Sequence, residues 1–581
     1  MLRKLFIAVA LAAAVVTVVA SAATGSPRRS SQESVTSSVL MPGVTYTREV
    51  DFTSRGPIVL DVVTAPKPDG SLYSLAPALS NNFLRGREAL THLDSRIAGN
   101  ATTVAIDGDY FDDTSGAPSG MLLQNDVLES APAVGRSSLG ISADGTLTAA
   151  RVSSSGIWQG KGQRRPLLLN SPPNGKFTLY TPVYGPTTPK ESGVVEAVIG
   201  SFPPAHLDEP LDGMVTQVTT AGPTPIPRGG AVLVARGKQS TAQLKAEAPV
   251  GQHVEAVLSL SPDWSGLASA IGGGPLLVKK GKPIFQADET FNSRQLNGRQ
   301  ARGAIGQLAD GRIVLVSVEG TKAAYSIGMS SYELAVELSR LGATTAFGLG
   351  AGSASGLAFD GSLLTRPSTG TTPKVSDALV LSYTGIYAPQ PPTPVLSPNG
   401  DGVGDTETLS YRVVRPSQVG ATLTGPGNTR ITLADGAASP GVHTFVWNGS
   451  DGGKPAPEGT WTFTVTGTDD RAVTTSAVRT FALDDTLSSL TVQSARGLAT
   501  AAFELTRPAA VVVQIERRTG VPVATLRSGR QTAGTERLAW RGRSDGRRVP
   551  SGRYQVVVQA TSTVGKSSLM APFTYHSRKR H

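Results

Sequence analysis

The chain has 581 residues with 65 glycines, 40 prolines, a formal net charge of +10 and no cysteine. The missing cysteine excludes disulfides, thiolate nucleophiles and cysteine-ligated metal sites. The length predicts three or four domains of roughly 150 residues, and the many glycines and prolines indicate strands joined by turns. The positive net charge favours an anionic cell-envelope polymer as the partner of the protein. We expect no nucleic-acid partner, because aromatic residues do not alternate with the scattered basic ones.

The N-terminus has the layout of a secretory signal peptide. Arg3 and Lys4 precede an apolar run over residues 5–20, which ends in small residues that fit a cleavage site. The run is short for a membrane span, which needs about 20 residues. We therefore predict a signal peptide over 1–23, a flexible Ser/Thr/Arg-rich leader over 24–43, and a secreted or wall-associated mature protein without a membrane span.

Residues 44–388 contain both strand and helix patterns. Strands are predicted over 57–63, 102–106, 254–260, 313–318 and 344–349, and a helix over 85–97. A second helix begins at Ser330, which forms a capping box with Glu333, and it ends at Gly342. Both kinds of element predict an α+β domain.

A proline-rich segment over residues 388–394 separates this domain from the C-terminal third. That third contains an internal repeat, in which Trp447 and Trp540 lie 93 positions apart and an alternating strand pattern follows each. The repeat resembles the immunoglobulin-like module named after the flagellar hook-capping protein. The resemblance implies two all-β sandwiches, over 389–484 and 485–577, that serve spacing or adhesion.

The first copy opens on a segment rich in glycine and aspartate. Oxygen atoms of Asn399, Asp401 and Asp405 could bind calcium, but the terminal glutamate of an EF-hand is missing. A turn that opens a strand is the favoured interpretation. We expect no cofactor and no metal in the chemistry of the protein, with calcium at this loop left as an alternative.

The first domain resembles the phosphodiester glycosidase family through several motifs in the family's order. They are Ala105-Ile106-Asp107-Gly108-Asp109-Tyr110-Phe111, Gly135-Arg136-Ser137-Ser138-Leu139-Gly140, Leu179–Thr188, Ala270–Leu277, Ala301–Gly306, Val318-Glu319-Gly320, Gly328-Met329-Ser330, Arg366-Pro367-Ser368 and Ala378-Leu379-Val380. The resemblance spans residues 44–388 and implies an α+β domain with a mixed sheet. It also implies hydrolysis of the bond between an anomeric carbon and a phosphodiester.

This chemistry suggests roles for particular residues. Guanidinium groups bind phosphate through two oxygens, which makes Arg136 and Arg302 candidate ligands. Carboxylates beside the anomeric carbon would stabilise its developing positive charge. The catalytic candidates are Asp107, Asp109 and Glu319. The alternative is that the aspartates form turns and the arginines are ordinary surface residues.

Backbone N–H groups in the run Gly272, Gly273 and Gly274 are candidates for an anion-binding nest. The alternative is that these glycines only permit a tight bend. Atoms of Gly350, Ser353 and Ser355 complete the predicted substrate-binding set.

One loop departs from the family pattern. The family has Asp-Leu-Asp-Gly-Gly-Gly-Ser there, whereas both acidic positions are glycine here, at Gly348 and Gly350. The usual asparagine of the first motif is Asp107. Either Asp107 or Asp360 supplies the missing acid, or the domain binds its ligand without turnover.

Two functions follow from this reading. The first is a secreted phosphodiester glycosidase-like protein that acts on or binds sugar-1-phosphodiesters of envelope or extracellular glycans, with a degenerate catalytic loop. The second is a non-catalytic envelope protein that binds glycans or serves as a scaffold. Whether the chain is an enzyme stays open at this stage.

Overall fold

The computed structural model describes residues 33–577, except for residues 174, 221, 286, 287, 323, 401, 403, 496 and 545. The predicted signal peptide and the first nine residues of the predicted leader lie outside this range. Strands predominate in the described part, and its four α-helices have only five to ten residues. Helices occupy Leu90–Ala98, Lys238–Glu247, Ser293–Asn297 and Ser331–Arg340, with single 3-10 turns at Ser80–Asn82, Pro182–Tyr184, Gly352–Ala354 and Pro426–Asn428.

An eight-stranded antiparallel sheet forms one layer of the first domain. Its strands, in spatial order, are Glu33–Met41, Val44–Thr53, Gly56–Ala65, Ile313–Val318, Arg302–Leu308, Ala343–Ala351, Leu276–Lys279 and Lys282–Pro283. The prediction of a flexible leader over 24–43 is wrong for residues 33–41, because the backbone there forms a strand that pairs antiparallel with the following strand as a hairpin. The predicted capping box is confirmed, since the hydroxyl of Ser330 accepts the Glu333 N–H and the Glu333 carboxylate accepts the Ser330 N–H.

Two five-stranded sheets pack beside this layer. The first comprises Ser362–Leu363, Leu357–Phe359, Thr102–Asp107, Asp377–Tyr383 and Tyr73–Leu79; the second comprises Leu147–Arg151, Ser137–Ile141, Ser269–Ile271, Leu122–Gln124 and Val127–Ser130. The helix Leu90–Ala98 covers the first of them, five residues later than the start predicted from its apolar spacing. The predicted strand over 102–106 is observed as Thr102–Asp107, which is buried at every position.

A second eight-stranded sheet completes the domain. Its strands are Arg165–Pro166, Ser153–Gln159, His253–Ser261, Leu211–Thr219, Val194–Ile199, Ala231–Arg236, Phe177–Tyr180 and Leu168–Leu169. Two ribbons join Gly320–Lys322 to Ser326–Ile327 and Glu88–Ala89 to Lys374–Val375. The expected α+β class is not confirmed, because short helices decorate a predominantly antiparallel β structure.

The C-terminal third consists of two successive β units. The first comprises Val395–Leu396, Thr474–Leu483, Gly459–Asp469, Ser417–Thr424 and Arg430–Ala438 in one sheet, Glu407–Val413 with Gly441–Trp447, and the ribbon Ser450–Asp451 with Lys454–Pro455. The second comprises Leu487–Ala495, Leu498–Leu505 and Gly534–Trp540, then Pro522–Gln531, Ala509–Arg517, Gly552–Thr561 and Lys566–Tyr575, and the ribbon Arg543–Ser544 with Arg547–Arg548. Each unit encloses its own apolar core.

The structure reproduces the 93-residue repeat except at the first strand, because the short Val395–Leu396 joins the larger sheet of its unit and Leu487–Ala495 joins the smaller one. The strands that end at Trp447 and Trp540 have seven residues each, and a two-stranded ribbon follows both. The indole N–H of Trp447 donates to the carbonyl of Ser450 (2.8 Å), and that of Trp540 donates to the carbonyl of Arg543 (2.9 Å). The repeated tryptophan therefore ties the same strand to the same turn in both units.

A bidentate ion pair joins the first C-terminal unit to the preceding domain. Nη1 and Nη2 of Arg412 lie 2.6 and 3.2 Å from the two carboxylate oxygens of Asp360, and Nη1 also donates to the carbonyl of Ala101 (3.1 Å). This contact engages both oxygens of Asp360, and that Asp360 replaces the missing loop acids stays a prediction.

The glycine-rich loop that opens the first unit is held by its own carboxylate. The two side-chain oxygens of Asp405 accept N–H groups of Gly400 and Gly402 at 2.7 Å each. Asp401, one of the three predicted calcium ligands, lies outside the described residues. Among the residues that are described, no group of three or more His, Asp or Glu side chains is arranged to hold a metal ion. No helix in the described ranges is both long and apolar enough to cross a membrane.

Candidate functional site

Asp107 occupies the end of a buried strand, at the junction of two sheets. Its side chain is 1% exposed, and its Oδ1 atom accepts the N–H of Gly356 at 2.9 Å. Its Oδ2 atom has no hydrogen-bond partner among the described residues. Burial raises the pKa of this carboxyl well above its usual range, although the Gly356 N–H opposes the shift. Asp107 therefore favours the protonated form.

Two glycines leave the space that the Asp107 carboxyl occupies. A Cβ atom added at Gly303 would lie 2.7 Å from both carboxylate oxygens, and one added at Gly350 would lie 2.9 Å from Oδ2. Gly350 is one of the two positions at which the family pattern has an acid. The carboxyl group of this chain thus approaches the same spot from the opposite strand.

A second buried pair of carboxyl groups lies beside Asp107. Oδ1 and Oδ2 of Asp109 accept the N–H groups of Tyr110 (2.7 Å) and Gly120 (2.6 Å), and Oδ1 of Asp377 accepts the Asp109 N–H (2.7 Å). Burial and then the charge of Asp377 raise the pKa of Asp109 to about 8. Burial raises the pKa of Asp377 to about 6. The three aspartates form a largely dry acidic cluster.

The run Gly272–Gly274 does not form the predicted anion nest. The N–H of Gly272 donates to the carbonyl of Met121 (2.6 Å), and that of Gly274 donates to the carbonyl of Gly348 (2.8 Å). Two of the three donors are therefore used within the chain. Glycine is required here for close packing, because a Cβ atom at Gly272 would lie 2.8 Å from the carboxyl carbon of Asp109.

Arg136 presents a guanidinium group at an aromatic pair next to this acidic cluster. Its Cζ atom lies 4.5 Å from the ring centroid of Phe291 and 5.2 Å from that of Tyr110, and the two rings are 5.7 Å apart. Nε donates one long hydrogen bond, to the carbonyl of Thr290 (3.3 Å). No carboxylate of the described residues lies within ion-pair distance, so this cation is free to meet an anionic ligand.

Tyr110 links the arginines to the aspartates. Burial is the main cause that raises the pKa of its hydroxyl, to about 12. The positive charges of Arg302 and Arg136 lower this pKa, and the negative charge of Asp109 raises it. The charges of the sequence-predicted Asp109, Arg136 and Arg302 therefore all influence one phenol.

Arg302 is buried and bound to backbone carbonyls. Its Nε atom donates to the carbonyl of Met329 (2.8 Å), and Nη2 donates to those of Gln295 (2.6 Å) and Gly298 (3.0 Å). The side chain thereby connects the helix Ser293–Asn297 to the segment that precedes the helix Ser331–Arg340, and desolvation lowers its pKa. That Arg302 also binds phosphate stays a prediction.

Glu319 lines a narrow cleft. The lining includes Gly352, Ser353, Ser355, Thr365 and Arg366. Oε1 of Glu319 accepts the Arg366 N–H (2.7 Å) and lies 3.1 Å from Nη2 of Arg48. The structure therefore brings Glu319 together with the predicted Ser353 and Ser355.

Sequence reasoning missed the groups around Glu319. Arg48 also contacts Asp61 (3.0 Å), which lies inside an apolar strand and accepts the hydroxyl of Tyr46 (2.6 Å). Burial and then the charge of Glu319 raise the pKa of Asp61 to about 8. The sequence did contain a signal for this group, because Asp61 is a charged residue within the apolar run Val59-Leu60-Asp61-Val62-Val63. Asp377 gave no such signal, because only strand pairing places it beside Asp109.

Comparison with known proteins identifies two regions of the chain. Residues 209–382 match the family model described as Phosphodiester glycosidase, and residues 489–563 match the one described as FlgD Ig-like domain. A crystal structure of a hypothetical protein from Synechocystis is 27% identical, with a TM-score of 0.50 over 59% of this chain and 62% of that one. A protein of Burkholderia pseudomallei is 18% identical, with a TM-score of 0.50 over 61% of this chain and 97% of that one.

A curated relative matches a shorter part of the chain. The SPbeta prophage-derived uncharacterized protein YomE of Bacillus subtilis strain 168 is 32% identical over 118 residues. These residues are 20% of this chain and 18% of that protein. The chain thus spans less than two thirds of the length of YomE and of the Synechocystis protein.

Proposed function

We propose, from the premise that this chain carries a phosphodiester glycosidase domain and an FlgD Ig-like domain, that it is a secreted protein that binds and slowly hydrolyses sugar-1-phosphodiesters of extracellular glycans. The observation that carries the proposal is the contact between Asp107 and Gly350. A carboxyl group reaches the position of a missing family acid, within a cluster that also offers a free cation.

The residues around Tyr110 suggest where each part of such a ligand binds. The Arg136 guanidinium can bind two phosphate oxygens, and the rings of Tyr110 and Phe291 offer an apolar face to a sugar. In the hydrolysis, water oxygen bonds to the anomeric carbon and the carbon–oxygen bond to phosphate breaks. The leaving group is a phosphate monoester anion, which is stable without a proton. The reaction therefore needs the cation more than a strong general acid.

Asp107 and Asp109 are the groups proposed to assist this reaction. In its ionised form, either carboxylate would stabilise positive charge at the anomeric carbon and accept a proton from water. Burial raises the pKa of both carboxyls, that of Asp109 to about 8, and so reduces their ionised fraction at neutral pH. Turnover should therefore be slow at pH 7 and should increase towards pH 9.

The substrate can be tested with the methyl phosphodiester of N-acetylglucosamine-1-phosphate. Release of reducing sugar by the purified protein would be compared with that of Arg136→Ala and Asp107→Asn, and with Arg151→Ala as a control on the exposed surface. We expect both site variants to lose about tenfold or more of the rate and the control to keep it. An unchanged rate in both site variants would contradict the proposal.

A non-catalytic glycan-binding protein is the second candidate function. The observation that favours it is the burial of Asp107 together with glycine at both acidic positions of the loop. Two results together would support this candidate. Calorimetry would detect binding of the same diester, and no sugar would be released over several days of incubation.

Secretion and the nature of the first C-terminal unit belong to the same proposal. The N-terminal charge, apolar run and small residues support export. The 93-residue offset between matching strands supports the view that residues 389–484 form a second immunoglobulin-like module. Mass spectrometry of protein from the culture medium would test export and locate the new N-terminus.

A further inference from the structure

The two C-terminal units have matching strands but opposite charge. Residues 389–484 contain 6 Lys and Arg against 9 Asp and Glu, whereas residues 485–577 contain 13 against 5. The tryptophan-centred cores are alike in both units, so the core does not require this difference. The positive charge of the chain is therefore concentrated on the second unit, where it points to an anionic partner.

Three arginines of the second unit converge on one cavity of about 310 Å³. Arg541, Arg543 and Arg548 line it together with Tyr575 and the backbone at Gly497. This volume is at the lower end of the range found for small-molecule sites, which is roughly 300–1,000 Å³. It can therefore accommodate one charged repeat unit of a polymer.

Core aromatic residues fix the backbone beneath these arginines. Trp540 donates its indole N–H to the carbonyl of Arg543 (2.9 Å), and Tyr575 donates its hydroxyl to the carbonyl of Arg541 (3.4 Å). The Trp540 and Tyr575 rings contact each other, with centroids 4.9 Å apart. The core thus fixes the backbone at Arg541 and Arg543.

The three guanidinium groups have no carboxylate partner among the described residues. The one hydrogen bond from these groups within that part of the chain runs from Nη1 of Arg543 to the carbonyl of Gly546 (3.2 Å). Three like charges that share a cavity repel one another. An anion in the cavity would relieve this repulsion.

The first unit is an internal control for this cavity. At the 93-residue offset, Asn448, Ser450 and Pro455 stand where the second unit has its three arginines. The ribbon that carries the second and third of these positions is present in both units, where Ser450 pairs with Pro455 and Arg543 pairs with Arg548. The fold therefore does not require arginine at any of the three positions.

We infer that the cavity of Arg541, Arg543 and Arg548 binds phosphate groups of a phosphodiester-linked extracellular glycan. Planar guanidinium groups match phosphate oxygens in pairs, and several of them suit a polymer of repeated charge. The choice of a phosphodiester-linked glycan rests on the proposed function, whereas anion binding itself depends only on the arginines. Such a site would hold the first domain next to the polymer that carries its substrate.

Binding can be measured by biolayer interferometry with the full-length mature protein on immobilised poly(glycerol phosphate). The test variant is Arg541→Asn, Arg543→Ser and Arg548→Gln, which takes two of its residues from the first unit. The matched control is Arg517→Gln, Arg518→Gln and Arg530→Gln, which removes the same charge from exposed positions outside the cavity. Circular dichroism melting would verify that both variants fold.

We expect the test variant to bind about tenfold or more weakly and the control to change less than about threefold, with affinity decreasing as salt increases. Equal losses in both variants, or no loss in the test variant, would overturn the cavity site. Equal or tighter binding to poly-glutamate, duplex DNA or anionic lipid vesicles would overturn the assignment to a phosphodiester-linked glycan. Sugar release from the small soluble diester does not involve this cavity, so its failure would reject the proposed function while polymer binding persists.

Discussion

Gly350 lies so close to Asp107 that a Cβ atom on the glycine would be 2.9 Å from Oδ2 of the carboxylate. An acid at position 350 would therefore require the Asp107 carboxyl to move. Where the family pattern has asparagine on one strand and aspartate on the other, this chain has aspartate and glycine. The one carboxyl group of this pair in the present chain is that of Asp107, and it fills the space beside Gly350.

Exchanging the two side chains tests this relationship. Gly350→Asp alone should destabilise the protein by about 1–3 kcal/mol, because it overpacks a buried site and brings two carboxyl groups together. Adding Asp107→Asn should recover at least half of that loss, which urea unfolding would measure as a non-additive double-mutant cycle. Strictly additive effects would show that the two positions do not interact.

Gly348, the other acidic position of the family loop, has no room for a side chain. A Cβ atom there would lie 2.8 Å from the carbonyl oxygen of Gly274, which is backbone and cannot rotate away. We therefore expect that restoring both family acids, with Gly348→Asp and Gly350→Asp, yields little folded protein. Soluble yield and melting temperature, compared with those of the exchange variant, would check this expectation.

Stability should decrease as the pH rises from about 4 to about 8. The folded-state pKa of Asp61 and Asp109 is raised to about 8 by burial and by a neighbouring carboxylate, whereas the unfolded chain releases these protons near pH 4. Between these limits the folded state binds more protons, so each group lowers the unfolding free energy by at most about 1.4 kcal/mol per pH unit.

Thermal unfolding followed over this pH window would measure the effect. Asp109→Asn should reduce the slope, because the amide does not titrate. Asp112→Asn is the control, since that exposed carboxyl has a lowered pKa. A slope that Asp109→Asn leaves unchanged would contradict the assigned protonation.

The glycine at position 272 should be intolerant of any side chain. Gly272→Ala is expected to cost about 1–3 kcal/mol, because its methyl group would overlap the Asp109 carboxyl. Gly266→Ala serves as control, since no atom lies within 4 Å of the added Cβ. Equal unfolding midpoints for the two variants in urea would show that the loop can move away.

The ion pair between Arg412 and Asp360 should couple the first domain to the unit that follows. A double-mutant cycle with Arg412→Met and Asp360→Asn should give a coupling energy of about 1.5–3 kcal/mol, as for hydrogen bonds to charged groups. The exposed pair of Arg415 and Asp470 should give a coupling energy of about 0–1 kcal/mol in a matching cycle. Calorimetric unfolding would supply the stabilities for both cycles. Similar coupling energies for both pairs would mean that the Arg412–Asp360 ion pair is no stronger than an exposed one.

Local signals in the sequence predicted local structure well. The capping box of Ser330 and Glu333 and the repeat around Trp447 depend on residues close in the chain. Asp377 and Asp109 meet only because strands 268 residues apart pair side by side. Sequence spacing carries no information about such pairing. The partners of the Gly272 and Gly274 N–H groups were hidden for the same reason.

The strand order of the first domain sets the sequence in which it can fold. The strand Gly56–Ala65 pairs with Ile313–Val318, and Thr102–Asp107 pairs with Asp377–Tyr383. Neither sheet can close until nearly the whole domain has been synthesised, whereas each C-terminal unit closes within its own stretch of chain. Such long loop closures slow folding. The nascent domain should therefore depend on chaperones for most of its synthesis, while the repeats that follow fold quickly and independently.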